Sequence, residues 1–126
     1  MYSSDPLQPT GKLFVKHDEA KTDKRETAPV TLRTMMVTGG VLMIEVNQGK
    51  GHRPPAHNHP DHDSILYLVK GRMSVTIGDQ TFMANAGDAW HHPPGVMHWS
   101  EALEDCTIIE IKNPPRQTWP DSPASK

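Results

Sequence analysis

From about residue 31 the chain falls into short apolar or alternating runs, each closed by residues that favour turns. The runs are 32–37, 41–46, 64–69, 72–77, 80–84, 88–92, 98–100 and 107–111. Between them lie Gly39-Gly40, Gly49-Lys50-Gly51, Lys70-Gly71, Gly78-Asp79, Asn85-Ala86-Gly87 and Pro93-Pro94-Gly95. Met73, Val75 and Ile77 alternate with Ser74 and Thr76, the period of two expected of a half-buried strand. Gly78-Asp79 between two such runs predicts a tight hairpin. No window holds a helical period over three turns. The pattern predicts an all-β fold, an antiparallel sandwich or closed β-barrel.

The ends differ from the middle. Residues 1–30 are polar and contain prolines, with Leu13-Phe14-Val15 as a candidate short strand, and read as an arm lying over the domain or reaching a neighbour. Residues 31–113 form the barrel and 114–126 a C-terminal tail, of which 121–126 reads as disordered. No internal repeat or interdomain linker interrupts this single domain.

Composition narrows the function classes. Thirteen Lys and Arg against fifteen Asp and Glu give a formal charge of −2, so no basic surface argues for nucleic acid or anionic membranes. The densest charged run, residues 21–26, mixes both signs and reads as a solvated segment. Cys106 is the single cysteine, which excludes an intrachain disulfide and a thiolate metal cage. Its place before Thr107-Ile108-Ile109 suits a small buried residue rather than a catalytic thiol. The first residues lack the cationic and apolar regions of a signal peptide, and no apolar run reaches membrane-span length. These features read as a soluble, cytoplasmic protein.

Histidine is where the chemistry concentrates. Residues 52–64, HRPPAHNHPDHDS, hold four of the eight histidines. His57 and His59 are two apart, so on a strand both imidazoles point to one face. Pro54, Pro55 and Pro60 mark the segment as an edge or strand end, as at a barrel mouth. His98 follows the Pro93-Pro94-Gly95 turn, which reverses the chain and aims a later residue inward. Three neutral imidazoles on a divalent ion leave coordination positions open, the arrangement of a catalytic site. The alternative is a set of histidines satisfied by ordinary hydrogen bonds. His52 and His62 read as loop or rim residues.

Two motifs then resemble a known family. Gly51-x5-His57-x-His59-x4-Ser64-x6-Gly71 is similar to the first cupin motif, and Gly87-x5-Pro93-x-Gly95-x2-His98 to the second. The resemblance implies a small single-domain cupin: a jelly-roll barrel (double-stranded β-helix) with the metal inside, often a homodimer. Two positions depart from the motifs. Ser64 stands where most cupins carry a metal-binding glutamate, and Ala102 where the second motif ends in asparagine. Serine is a poor ligand for a divalent ion, so three histidines plus water become the default, with Asp63 or His62 as candidate fourth ligands. On a regular strand Asp63 faces outward, and ligation by it requires a bulge. Losing the carboxylate leaves more positive charge on the ion, which favours Lewis-acid chemistry.

Among the remaining candidates, Trp90 and His92 share one face of their strand and Ala89 and His91 the other. His92 is taken as the candidate proton-transfer residue, with a structural role as its alternative. Met97, Trp99, Tyr67 and Met73 suit packing or the wall of a small-molecule cavity. Arg53 and Arg72 are candidates for holding a substrate carboxylate. Arg116, in Asn113-Pro114-Pro115-Arg116, resembles the C-terminal part of small cupins that linearise unsaturated uronates, where an arginine is thought to face the substrate.

The resulting expectation is an enzyme acting on a small molecule. It would use iron, zinc, nickel or manganese on His57, His59 and His98 for non-redox isomerisation, cyclisation, ring opening or elimination. A three-histidine iron dioxygenase and a non-catalytic ligand-binding or sensory cupin are the alternatives.

Overall fold

The computed structural model describes residues 4–25 and 28–122. Among the described residues eleven strands follow one another: β1 (Asp5–Pro6), β2 (Lys21–Lys24), β3 (Val30–Val37), β4 (Leu42–Gln48), β5 (Asp63–Lys70), β6 (Arg72–Ile77), β7 (Gln80–Asn85), β8 (Ala89–His92), β9 (His98–Ala102), β10 (Cys106–Asn113) and β11 (Arg116–Gln117). A single 3-10 turn, His17–Glu19, precedes β2. A six-stranded sheet runs in the order β2-β3-β4-β10-β5-β8, a three-stranded sheet runs β7-β6-β9, and β1 pairs with β11. Every ladder is antiparallel. The fold is the jelly-roll barrel that the strand pattern and motifs predicted.

Alternation decides what lies inside. Leu42, Ile44 and Val46 of β4, Leu66 and Leu68 of β5 and Ile108 of β10 are buried, and they meet Met73 and Val75 of the small sheet. On β3 the inward set is Val30 and Leu32, then Val37, because the register shifts between Thr34 and Met36. The extra residue of that bulge restores the apolar phase.

The turns that the glycines announced are present. Ile77 pairs with Gln80 across Gly78-Asp79, giving the expected two-residue hairpin. Gly71, between β5 and β6, has φ +99°, and a Cβ there would lie 2.5 Å from the Asp105 carbonyl oxygen and 2.6 Å from Cys106 Sγ. Both the conformation and the close approach require glycine. Cys106 is buried, and burial raises its thiol pKa, as suits a packing residue.

Three expectations are corrected. Leu13-Phe14-Val15 forms no strand; Leu13 is fully exposed and Phe14 nearly so, because no neighbouring edge meets them. The charged run contains β2 instead, where Asp23 is buried and accepts hydrogen bonds from Trp119 Nε1 and the Ser122 amide. His62, read as a rim residue, is buried. The chain after β10 packs back as far as Trp119, itself buried, and Ser122; residues 123–126 lie outside the described set. No helix among the described residues is long and apolar enough to cross a membrane.

Candidate metal centre

The proline-flanked segment is held along the start of β9. The His57 amide donates to the His98 carbonyl at 3.0 Å, and the His98 amide returns the bond at 2.8 Å. The Gly95 amide, in the Pro-Pro-Gly turn, donates to the His59 carbonyl at 3.0 Å. One antiparallel bridge therefore fastens the two motifs to each other. Residue 57 and residue 59 share a face, and His98 stands opposite.

Candidate ligand nitrogens of His57, His59 and His98 all lie within 4.8 Å of one another. Their ring centroids are 4.9 Å (57–59), 4.4 Å (57–98) and 5.6 Å (59–98) apart. His57 Nδ1 is 3.0 Å from the Pro55 carbonyl and His98 Nδ1 is 3.3 Å from the Val96 carbonyl. A carbonyl only accepts, so each Nδ1 carries the proton and each Nε2 presents a lone pair. Those two Nε2 atoms are 3.1 Å apart. Two lone pairs at that distance repel unless a proton or a cation lies between them.

Burial favours the neutral forms of His59 and His98. It lowers the pKa of His59 to about 3, reinforced by Lys112 and by His57, His62 and His98. It likewise lowers that of His98 to about 4, with His57 adding to the effect. Three imidazoles converging within 4.8 Å, two of them held through Nδ1 by backbone carbonyls, are a donor set that fits a divalent ion.

The wall of the cavity comes from the six-stranded sheet. Ser64 pairs with both His92 and Lys112, and Leu66 with both Trp90 and Glu110, so these side chains share its inner face. His92 lies parallel to His98, with centroids 3.7 Å apart and planes 10° apart. Burial, then His98, lowers its pKa to about 3. A cavity of about 120 Å³ is lined by His57, His59, His98, His92, Trp99 and Glu110, among others.

Glu110 and Lys112 were not foreseen. Lys112 Nζ is 3.3 Å from Glu110 Oε2 and donates to Thr118 Oγ1 at 3.0 Å. Burial opposes ionisation of Glu110, but Lys112, His92 and a hydrogen bond from Ser64 outweigh it and hold its pKa at about 2. The carboxylate missing from position 64 is thus supplied to the same cavity by the neighbouring strand. The clue was available: a Glu and a Lys two apart on an otherwise apolar strand lie on one face. The isoleucines at 109 and 111 concealed which face was inside.

Asp63, Arg53, Arg72, Arg116, Tyr67 and Met97 do not line the cavity, whereas Met73 does. Asp63 turns outward, where His91 Nε2 meets it at 2.7 Å, because Ser64 takes the inward position. Arg116 Nε is 3.3 Å from Asp61 Oδ2 and its Nη1 donates to the Pro115 carbonyl, so the guanidinium is engaged away from the cavity wall. Arg72 pairs with Glu104, and Arg53 stacks over Trp99 at 4.4 Å. Tyr67 and Met97 are exposed and Met73 is core.

Comparison with known proteins agrees with this geometry. A family model described as "Cupin domain" matches residues 43–112. An uncharacterised protein of Streptomyces coelicolor, SCO3923, is 25% identical over 85 residues, covering 67% of this chain and 76% of that one. The structure of KdgF from Halomonas sp. superposes with a TM-score of 0.76 at 28% identity, covering 82% of this chain and 95% of that one. An RmlC-like cupin of Shewanella frigidimarina gives a TM-score of 0.78 at 18% identity, covering 86% and 96%. The polyketide cyclase RemF of Streptomyces resistomycificus gives 0.69 at 18%, covering 88% and 87%. With more than half its length matched by the family model, and with both motifs meeting in one histidine cluster, the chain belongs to the cupin domain family.

Proposed function

We propose that the protein is a small-molecule enzyme using a divalent metal on His57, His59 and His98 for non-redox proton transfer. The reaction class is isomerisation, cyclisation, ring opening or elimination of an oxygenated substrate. The observation that carries the reading is the convergence of His57, His59 and His98, whose candidate ligand nitrogens all lie within 4.8 Å of one another. A bound ion would supply Lewis acidity and open positions for a carbonyl or enolate oxygen.

The chain's own groups do the rest. Trp90 and Trp99 line the cavity and give it an aromatic wall. His92, neutral and held parallel to His98, is placed to accept or return a proton at its ring nitrogen. Glu110 faces the same space as a carboxylate, kept charged by Lys112, and offsets positive charge there. Arg116, bound to Asp61, would act on the site through that contact. A cytoplasmic homodimer completes the reading, and light scattering of the purified protein checks the oligomer.

The test offers 2-oxo acids, phenols and unsaturated uronates to the metal-loaded protein in heavy water. Products and deuterium incorporation are followed by NMR, and O2 by electrode. Chelator-sensitive deuterium exchange or product without O2 uptake is expected. Chelator-sensitive O2 uptake would overturn the reading in favour of a dioxygenase. Tight binding with no turnover would make the protein a ligand-binding cupin.

A further inference from the structure

The most unusual buried group outside the histidine triad is His62. Its side chain is 1% exposed, and its Nδ1 lies 2.9 Å from Asp61 Oδ1. A carboxylate oxygen accepts, so Nδ1 carries the proton and Nε2 is a bare acceptor. That Nε2 is buried with no hydrogen-bond partner among the described residues. A leucine or phenylalanine would fill the space without stranding a polar atom, so packing alone does not explain an imidazole there. The ring instead stacks on His59, with centroids 4.9 Å apart and planes 28° apart.

Asp61 is anchored from the far ends of the chain. Ser4 Oγ donates to both its oxygens, at 2.9 and 2.7 Å, and Arg116 Nε approaches Oδ2 at 3.3 Å. Ser4 precedes β1 and Arg116 begins β11, and these two strands pair, with Pro6 opposite Arg116. The two-stranded strap therefore grips a surface carboxylate, which grips a buried imidazole, which stacks at a tilt against a candidate ligand. Carboxylate–histidine pairs behind metal sites fix ring orientation and raise affinity.

We propose that Asp61 and His62 are positioning residues of the metal centre, orienting His59 and linking the β1–β11 strap to metal affinity. This rests on the reading of His57, His59 and His98 as metal ligands. It assigns Arg116 to the same chain of contacts, as a positioning residue.

The test measures Co2+ affinity by chelator competition, together with the visible absorption bands of the Co2+ protein. His62→Phe keeps an aromatic ring but loses the bond to Asp61; Asp61→Asn keeps the shape at the surface. Each should weaken Co2+ about tenfold and shift the bands. The double variant should be no weaker than the worse single, because both act along one path. Arg116→Met should weaken Co2+ in the same direction, and Arg116→Lys should restore part of the loss. Affinities within twofold of wild type with unchanged bands would overturn the proposal. So would an affinity loss with unchanged bands that merely follows a lower unfolding midpoint. Nitrogen-15 NMR of the histidine rings in the metal-free protein provides an independent readout. If the wild type takes up no Co2+, the three-histidine reading fails, while His59 ring signals still decide the positioning. They should move in Asp61→Asn, and unmoved signals would refute it.

Discussion

Replacing Lys112 by methionine removes a buried cation while keeping most of the stem volume. Lys112 and Glu110 side chains are 3% and 14% exposed, and their charged atoms are 3.3 Å apart. The pKa of Glu110 falls from 4.5 to about 2 even though burial pushes the other way. That lowering corresponds to about 3 kcal/mol of preference for the charged form, shared among Lys112, His92 and Ser64. Without Lys112 the carboxyl either stays charged and unpaired or takes up a proton on folding. Breaking a buried pair from one side typically costs about 3–5 kcal/mol, so Lys112→Met should lose about 3 kcal/mol at pH 7. Urea unfolding measures it. In the wild type, the stability from Glu110 is present above its unfolded pKa and lost as pH falls towards about 2. In the variant burial dominates and the folded pKa lies above the unfolded one, so the deficit should narrow as pH falls. Adding Glu110→Gln should recover more than half of it. A deficit under about 1 kcal/mol, or one that Glu110→Gln leaves unchanged, would refute the buried-pair reasoning.

Other perturbations follow from the same structure. His59, His92 and His98 have pKa values lowered to about 3, 3 and 4, chiefly by burial, so the unfolded chain binds more protons below its ordinary histidine pKa. Metal-free protein should therefore lose up to about 4 kcal/mol of stability per pH unit between about pH 6.5 and 4, and a flat profile of urea midpoints would contradict this. Trp119→Ala removes a 4%-exposed ring and its 3.2 Å bond to Asp23, and should cost about 3–5 kcal/mol in urea unfolding. Gly71→Ala combines φ +99° with a Cβ 2.5 Å from a backbone oxygen, and should cost at least about 2 kcal/mol by the same assay. His91→Ala touches only the outer pair with Asp63 and should leave metal content unchanged.

The barrel was legible because several strands alternate with a period of two and the turns between them carry glycine. Met73–Ile77 with Gly78-Asp79 is the clearest instance, and the hairpin forms there. His57, His59 and His98 were legible because spacing and the Pro-Pro-Gly turn are local features that survive into three dimensions. What failed was long-range. Nothing local says that Asp23 waits for Trp119 and Ser122, nearly a hundred residues later, so β2 read as a solvated run. Nor does a proline-rich ending announce that Arg116 will reach Asp61, fifty-five residues away. Glu110 was hidden by a register shift between Thr107 and Ile108 and by isoleucines on both faces of β10. Ser64 pointed to a missing carboxylate; only the pairing of strands shows that Glu110, one strand away, lines the same cavity.

The central claim is that His57, His59 and His98, with ligand nitrogens within 4.8 Å of one another, hold a divalent ion. Elemental analysis of protein purified without added metal tests it most directly, with His57→Ala and His98→Ala purified in parallel. The account predicts about one divalent ion per chain in the wild type and its loss in both variants. Equal metal content in all three proteins, or none in a wild type offered iron, zinc, nickel and manganese, would contradict it.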